Sequence, residues 1–148
     1  MTSDLNDIEV LFVAGFGPVT LDTKHSKAFY KDTLRLPLRH MEGNNDYMLT
    51  DVDVLEGVKH FALWPLSQAA QSCFGTDRWP DDIPVPQAWL EFEVEDIDKA
   101  TETLVQKGYQ LLISGRMEPW GQTVTRLLSP EGLLTGVTIT PWLRSDTL

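Results

Sequence analysis

The sequence predicts an α+β fold made of two βαβββ modules, because the same order of elements occurs twice along the chain. Two aspartates with the pattern of helix N-caps, Asp22 and Asp96, lie 74 residues apart, each directly after a strand-like segment. The predicted modules span residues 8–65 and 87–142, and residues 66–86 are expected to form the linker between them. The evidence for the repeat is the order of the elements and the positions of the residues that begin and end them, since few residues are identical between the halves.

The first module begins with residues 9–20, EVLFVAGFGPVT, which are rich in β-forming side chains. Asp22 then caps a predicted helix over residues 23–34. The segments LPLRHME and YMLTDVDV flank the polar stretch GNND, which predicts a hairpin-like turn. A last strand over residues 57–65, GVKHFALWP, ends at a proline.

Residues 67–87 have a different sequence pattern, with three prolines near the end and little hydrophobic periodicity. They are predicted to be a linker or surface loop. The second module then opens with QAWLEFEVED, where polar and apolar residues alternate as in a half-buried strand. Asp96 caps a predicted helix that Gly108 ends. Three further strands are predicted from YQLLISG, QTVTRLLS and LLTGVTIT.

Composition excludes several classes of function. Twelve basic against 22 acidic residues give a formal charge of −10, which repels phosphate backbones and argues against a nucleic-acid partner. No run of 18 apolar residues occurs, and the N-terminal MTSDLNDIEV lacks the features of a secretory signal, so no membrane association and a cytoplasmic location are expected. The single cysteine, Cys73, fits a reducing compartment and is expected to be an inert thiol in a loop.

Three segments, AFYKDTL, VEDIDKA and above all EPWGQTVTRLLSPEGLL, resemble the vicinal oxygen chelate superfamily of glyoxalases, bleomycin-resistance proteins and extradiol dioxygenases. The resemblance covers roughly residues 10–142. It implies that each module curls into half of a cup, that the two halves enclose a ligand site, and that the protein forms a homodimer. Whether the cup closes within one chain or across a dimer is left open.

The resemblance also implies four inward strand positions that usually hold a divalent metal, and these map to Gly15, His60, Trp89 and Gly136. Glycine and tryptophan offer no donor atoms, whereas such a metal needs three or four. The sequence therefore predicts neither a metal nor a cofactor. The glycine at position 136 has two explanations. Either it lets a ligand approach the backbone closely, or the position no longer has to bind a metal and has been free to change.

Strand alternation turns Leu90, Phe92 and Val94 towards the helix and the intervening residues towards the cup. The candidate ligand-binding residues are His60, Trp64, Trp89, Glu91, Glu93, Trp120, Arg126 and Gly136. Arg126 is expected to pair with the glutamates, and Trp142 to make a core or dimer contact. No catalytic residue is assigned.

Aromatic walls near carboxylates suit a flat or cationic organic molecule. The leading hypothesis is a protein that binds and sequesters such a compound without catalysis. The alternative is a metal-independent or unconventional-metal enzyme, such as a lyase, isomerase or dioxygenase. A third is a regulatory or interaction module, for which the cup would be filled by side chains.

Overall fold

The computed structural model describes residues 8–144, which form one mixed sheet of eight strands in the order β2-β3-β4-β1-β5-β8-β7-β6. The strands are β1 (Val10–Thr20), β2 (Arg39–Met41), β3 (Asn44–Leu49), β4 (Ala62–Pro65), β5 (Ala88–Val94), β6 (Ile113–Met117), β7 (Thr123–Leu128) and β8 (Leu134–Ile139). Most of the N-terminal segment that argued against a secretory signal, residues 1–7, lies outside the described range.

The two modules meet where β1 pairs with β5 in antiparallel orientation. Each module contains one parallel pair at its centre, β1 with β4 and β5 with β8. Both parallel pairs have the same register: Phe16 bridges Phe61 and Glu91 pairs with Gly136, 45 residues apart in each case. The α+β fold of two βαβββ modules is therefore confirmed.

The predicted helix caps are confirmed as well. Helix α1 (Thr23–Lys27) begins where the Asp22 carboxylate accepts a hydrogen bond from the His25 backbone N–H, at 3.2 Å, and it runs on into a π-helical segment over Ala28–Thr33. Helix α3 (Ile97–Gln106) begins in the same way, with the Asp96 carboxylate accepting from the Lys99 N–H at 3.1 Å.

The predicted linker contains a helix that sequence reasoning missed, α2 (Leu66–Phe74). Its buried side includes the small residues Ala69, Ala70 and Cys73, which pack in a core cluster that also contains Trp79. Small side chains give a weak apolar pattern, and for that reason the segment resembled a loop. Burial raises the pKa of the Cys73 thiol to about 11, so this thiol is protonated at neutral pH.

Side chains on the outer face of the sheet pack under the helices, as alternation predicted. Phe61 and Leu63 lie in one core cluster with the partly buried Tyr30, and Val94 and Val137 lie in another with Ala100 of α3. The opposite face is left to form the site. Within residues 8–144, no helix has the length and apolar character needed to cross a membrane.

Candidate functional site

One row of neighbouring residues crosses the middle of the sheet. Gly15 pairs with Glu91, Glu91 with Gly136, and Gly136 with Arg126. The bridge between Phe16 and Phe61 places His60 beside Gly15 at the other end. We call these five residues, His60, Gly15, Glu91, Gly136 and Arg126, the central row. In this row Glu91, and not the predicted Trp89, lies opposite Gly15.

The two glycines of the central row are explained by their neighbours. A Cβ on Gly15 would lie 2.6 Å from the His60 carbonyl oxygen, so the close approach of β1 and β4 requires glycine. A Cβ on Gly136 would lie 3.2 Å from Glu91 Cγ and 3.2 Å from Val124 Cγ2. Gly136 therefore leaves room for the Glu91 side chain, whereas the sequence had left open either close approach of a ligand or loss of a metal ligand's role.

Above the central row lies a cavity of about 390 Å³ that both modules line. Both modules contribute aromatic side chains, and the second also contributes a buried group of charged and hydrogen-bonded side chains. Both modules of one chain therefore contribute to the same cavity. The principal side chains around it are Tyr47, His60, Trp64, Gln68, Trp89, Glu91, Trp120, Gln122, Arg126 and Trp142.

The second-module wall consists of groups that already bind one another. Arg126 Nη1 donates to Glu91 Oε2 at 2.6 Å, and Gln122 Nε2 donates to Glu91 Oε1 at 2.9 Å. The same amide nitrogen of Gln122 donates to Thr138 Oγ1 at 2.8 Å, and its oxygen accepts from Trp120 Nε1 at 2.8 Å. Both Glu91 oxygens and both polar atoms of the Gln122 side chain are therefore hydrogen-bonded. The pairing of Arg126 with Glu91 agrees with the expectation from the sequence.

Arg126 is the centre of this buried network, with 1% of its surface exposed. Its guanidinium lies 4.7 Å from the ring centre of Trp64, a cation–π contact, and its Nη2 lies 3.8 Å from Glu118 Oε2. Glu118 is itself 2% exposed and accepts a hydrogen bond from the Ser72 hydroxyl of α2. The buried charges of the second-module wall are therefore paired with one another inside the protein.

Apart from the ion pair of Arg39 and Asp51 at the rim, the first-module wall is uncharged, and we call it the neutral wall. Tyr47 Oη and His60 Nε2 are 2.9 Å apart, and the His60 and Trp89 rings are tilted with centres 5.8 Å apart. Trp64 meets Trp89 edge to face at 6.2 Å. Burial lowers the pKa of His60, opposed in part by the charge of Glu91, so the imidazole is uncharged at neutral pH. Burial and Glu91 both raise the pKa of Tyr47, which keeps its proton.

The mouth of the cavity carries two exposed tryptophans and an amide pair. Trp120 and Trp142 are 46% and 49% exposed. Of the two contacts predicted for Trp142, the core contact is wrong, since its side chain lines the opening, and the dimer contact stays a prediction. Asn44 and Gln68 exchange two hydrogen bonds of 2.9 and 2.8 Å, which join the β2–β3 hairpin to α2 at the rim.

Six of the eight predicted ligand-binding residues line the cavity, and Glu93 and Gly136 do not. Glu93 is fully buried elsewhere, where one carboxylate oxygen accepts from the Thr140 N–H at 2.7 Å and from Arg144 Nε at 2.6 Å. Sequence reasoning missed Tyr47 and Gln122. Gln122 has the same strand parity as Val124 and Arg126, so the alternation contained the signal for it.

The residues present do not fit the divalent metal that this kind of cup usually holds. Between residues 8 and 144, no three His, Cys, Asp or Glu side chains converge to form a metal site. In the central row only His60 and Glu91 carry donor atoms of that type, and both oxygens of Glu91 are hydrogen-bonded within the protein. Two candidate donors, both of them hydrogen-bonded within the protein, are too few for a stable site.

The architecture and cavity define a two-module α+β cup. No protein-family profile matches the sequence, and no curated protein matches it. Among solved structures, the chain is similar to methylmalonyl-CoA epimerase from Streptomyces coelicolor in complex with 2-nitronate-propionyl-CoA, with 18% identity, a TM-score of 0.57 and coverage of 93% of this chain and 99% of that one.

Methylmalonyl-CoA epimerase from Mycobacterium tuberculosis is 19% identical over 90% of this chain and 91% of its own, with a TM-score of 0.57. A glyoxalase/bleomycin resistance protein/dioxygenase superfamily member from Vibrio splendidus is 12% identical over 90% of this chain and 100% of its own, with a TM-score of 0.55. The chain therefore has the fold of the vicinal oxygen chelate superfamily, as the sequence resemblance predicted.

Proposed function

We propose that this protein binds one small, flat organic molecule in the cavity, without a metal ion. The observation that carries the proposal is the cavity itself: about 390 Å³ of open space between aromatic side chains. That volume falls in the range typical of small-molecule sites, about 300–1,000 Å³. An interaction module would have its cup filled by side chains, and the open cavity argues against that hypothesis.

The charge distribution favours an uncharged ligand over the cation that the sequence also suggested. The carboxylate of Glu91 is neutralised by Arg126, and Glu93 lies away from the cavity with Arg144. At the rim, Arg39 and Asp51 pair with each other at 2.8 Å. The carboxylates that would attract a cation are therefore occupied, and the aromatic surface remains as the main attraction for a flat molecule.

A second candidate function is a metal-independent enzyme, and one observation favours it. Tyr47 and His60 form a hydrogen-bonded pair at the cavity wall, and the uncharged imidazole of His60 can accept a proton. Two of the similar structures are named as epimerases, which are enzymes. The two candidates differ in a single result, which is whether a bound compound is chemically changed.

Isothermal titration calorimetry with the neutral bicyclic compound 2-quinolone tests the proposal. We expect one molecule bound per chain, with the same affinity before and after treatment with EDTA. Chromatography of the recovered compound after long incubation separates binding from catalysis. Binding that disappears with EDTA would contradict the metal-free proposal, and a new product would favour the enzyme.

Two exposed valines provide a matched test of where binding occurs. Val52 is 40% exposed and lines the cavity, whereas Val105 is 56% exposed on α3, outside the cavity. Val52→Trp is expected to narrow the opening and lower the affinity at least about tenfold, which is roughly 1.4 kcal/mol. Val105→Trp is expected to leave the affinity unchanged. Equal effects of the two substitutions would place the binding site elsewhere.

A further inference from the structure

We propose that the cavity selects a flat, uncharged cyclic amide, whose carbonyl accepts from the Trp64 indole N–H and whose N–H donates to the Tyr47 hydroxyl. The proposal rests on the function proposed above and names the chemical class of its ligand. It follows from three observations: the register of the first module, the unused hydrogen-bonding capacity of its wall, and the engagement of nearly every other polar group around the cavity.

The register places Tyr47 and Trp64 side by side. In the antiparallel ladder of β3 and β4, Met48 pairs with Leu63 and Leu49 with Ala62. One step further along, Tyr47 stands opposite Trp64, and both side chains line the cavity. Directly opposed residues have Cβ atoms about 4.5–5.5 Å apart, close enough for both to reach one small ring system.

Trp64 offers an unused donor. Its side chain is buried, with 7% of the residue exposed, and its indole N–H makes no hydrogen bond with any residue between 8 and 144. The indole N–H of Trp89, by contrast, is already used, since Trp89 Nε1 donates to the Ala62 carbonyl at 3.0 Å. An indole N–H can only donate, so the ligand group that meets Trp64 must be an acceptor.

Tyr47 offers the complementary acceptor. Tyr47 Oη lies 2.9 Å from His60 Nε2, so the two groups share one hydrogen bond. A phenol oxygen has two lone pairs and uses at most one of them in that bond, whichever group donates. The Tyr47 oxygen therefore keeps a lone pair for a donor from the ligand.

Other ligand classes match these two groups less well. A carboxylate would present acceptors to both positions and bring a charge that the paired walls leave without a partner. A flat quaternary cation lacks the acceptor that Trp64 requires. A cyclic amide presents its carbonyl and its N–H next to each other on one edge, while its ring stacks between aromatic side chains.

Calorimetric titrations with 2-quinolone and N-methyl-2-quinolone test the proposal, because the two compounds differ only in the amide N–H. We expect the wild type to bind 2-quinolone about five- to tenfold more tightly, the value of one net hydrogen bond. Tyr47→Phe should bind both compounds equally. Trp64→Phe should weaken both by a similar factor, because each has the carbonyl that Trp64 meets.

Tyr30→Phe is the matched control, since Tyr30 packs against the core cluster on the helical side of the sheet and not in the cavity. It should bind like the wild type. N-methylquinolinium and 2-naphthoate complete the series as a flat cation and a flat anion of similar size. Both are expected to bind more weakly than 2-quinolone.

The outcomes distinguish the two proposals. If 2-quinolone and its N-methyl derivative bind the wild type equally, or if the cation or anion binds most tightly, the cyclic amide proposal is overturned while the binding function stands. If none of the four compounds binds, both proposals are contradicted. A preference for 2-quinolone that survives Tyr47→Phe would show that Tyr47 does not accept the amide N–H.

Discussion

The two walls of the cavity have matching backbones and opposite chemistry. Both modules carry a parallel strand pair with the same register, 45 residues apart in sequence. The first-module wall has no net charge, since Arg39 and Asp51 pair with each other at the rim, and it keeps hydrogen-bonding capacity at Tyr47 and Trp64. In the second-module wall, Glu91 binds both Gln122 and Arg126, and the Nε of Arg126 stays buried without a partner in the part of the chain that the structure describes. The comparison supports the proposal that the charged wall stabilises the fold while the first-module wall recognises the ligand.

The largest expected effect comes from breaking the charged wall. Arg126→Met leaves Glu91 as a buried carboxylate without its cation and removes one of the two cations beside Glu118, which should lower the free energy of unfolding by about 3–5 kcal/mol. Urea denaturation measures the loss. The exposed pair Arg39–Asp51 provides the control, since Arg39→Met should cost less than about 1 kcal/mol. Similar losses for the two variants would contradict the structural role of Arg126.

A smaller effect is expected from the glycines of the central row, and it should differ between the modules. Gly15→Ala places a methyl group 2.6 Å from a backbone oxygen, whereas in Gly136→Ala the nearest atoms are side-chain atoms at 3.2 Å. Overpacking costs about 1–3 kcal/mol, and Gly15→Ala should lie at the upper end. Thermal and urea unfolding compare the two variants. A larger loss of stability for Gly136→Ala would contradict this order. It would show that the side chains around Gly136 cannot move to accommodate the added methyl group.

The smallest expected effect is a pH dependence that arises in the neutral wall. The pKa of His60 is lower in the folded protein than its ordinary value of about 6.5, so the unfolded chain binds the proton more readily. The contribution to stability is therefore full above about pH 6.5 and is lost as the pH falls through the folded pKa. His60→Gln should flatten the stability profile between about pH 7 and about pH 5. An equally steep decline in that variant would exclude His60 as the cause.

The fold was largely predictable from the sequence, since two aspartate caps and strand alternation identified both modules. Helix α2 was missed because its buried residues, Ala69, Ala70 and Cys73, are small and give little apolar contrast. In the site, alternation correctly turned Trp64, Trp89 and Arg126 towards the cavity. It could not show that Glu93 pairs with Arg144, because the two residues are 51 positions apart and meet only in the folded chain.

Alignment of the repeats from sequence alone also reached a limit. The caps gave an offset of 74 residues, which pairs Gly15 with Trp89, whereas the sheet places Glu91 opposite Gly15. Trp89 and Glu91 lie two residues apart on the same face of the strand, so alternation cannot distinguish between them. Only the ladder register shows that Glu91, a potential ligand with both oxygens engaged, stands at the position that was assigned to Trp89.

The most direct test of ligand recognition by the neutral wall is a two-dimensional ¹H–¹⁵N spectrum of the indole N–H groups during titration with 2-quinolone in EDTA. The chain has five tryptophans, and Trp64→Phe assigns one resonance. We predict that the Trp64 signal moves most, while that of Trp79, whose N–H donates to the Ile83 carbonyl in the core, stays in place. A Trp64 signal that does not move at saturation would contradict the account.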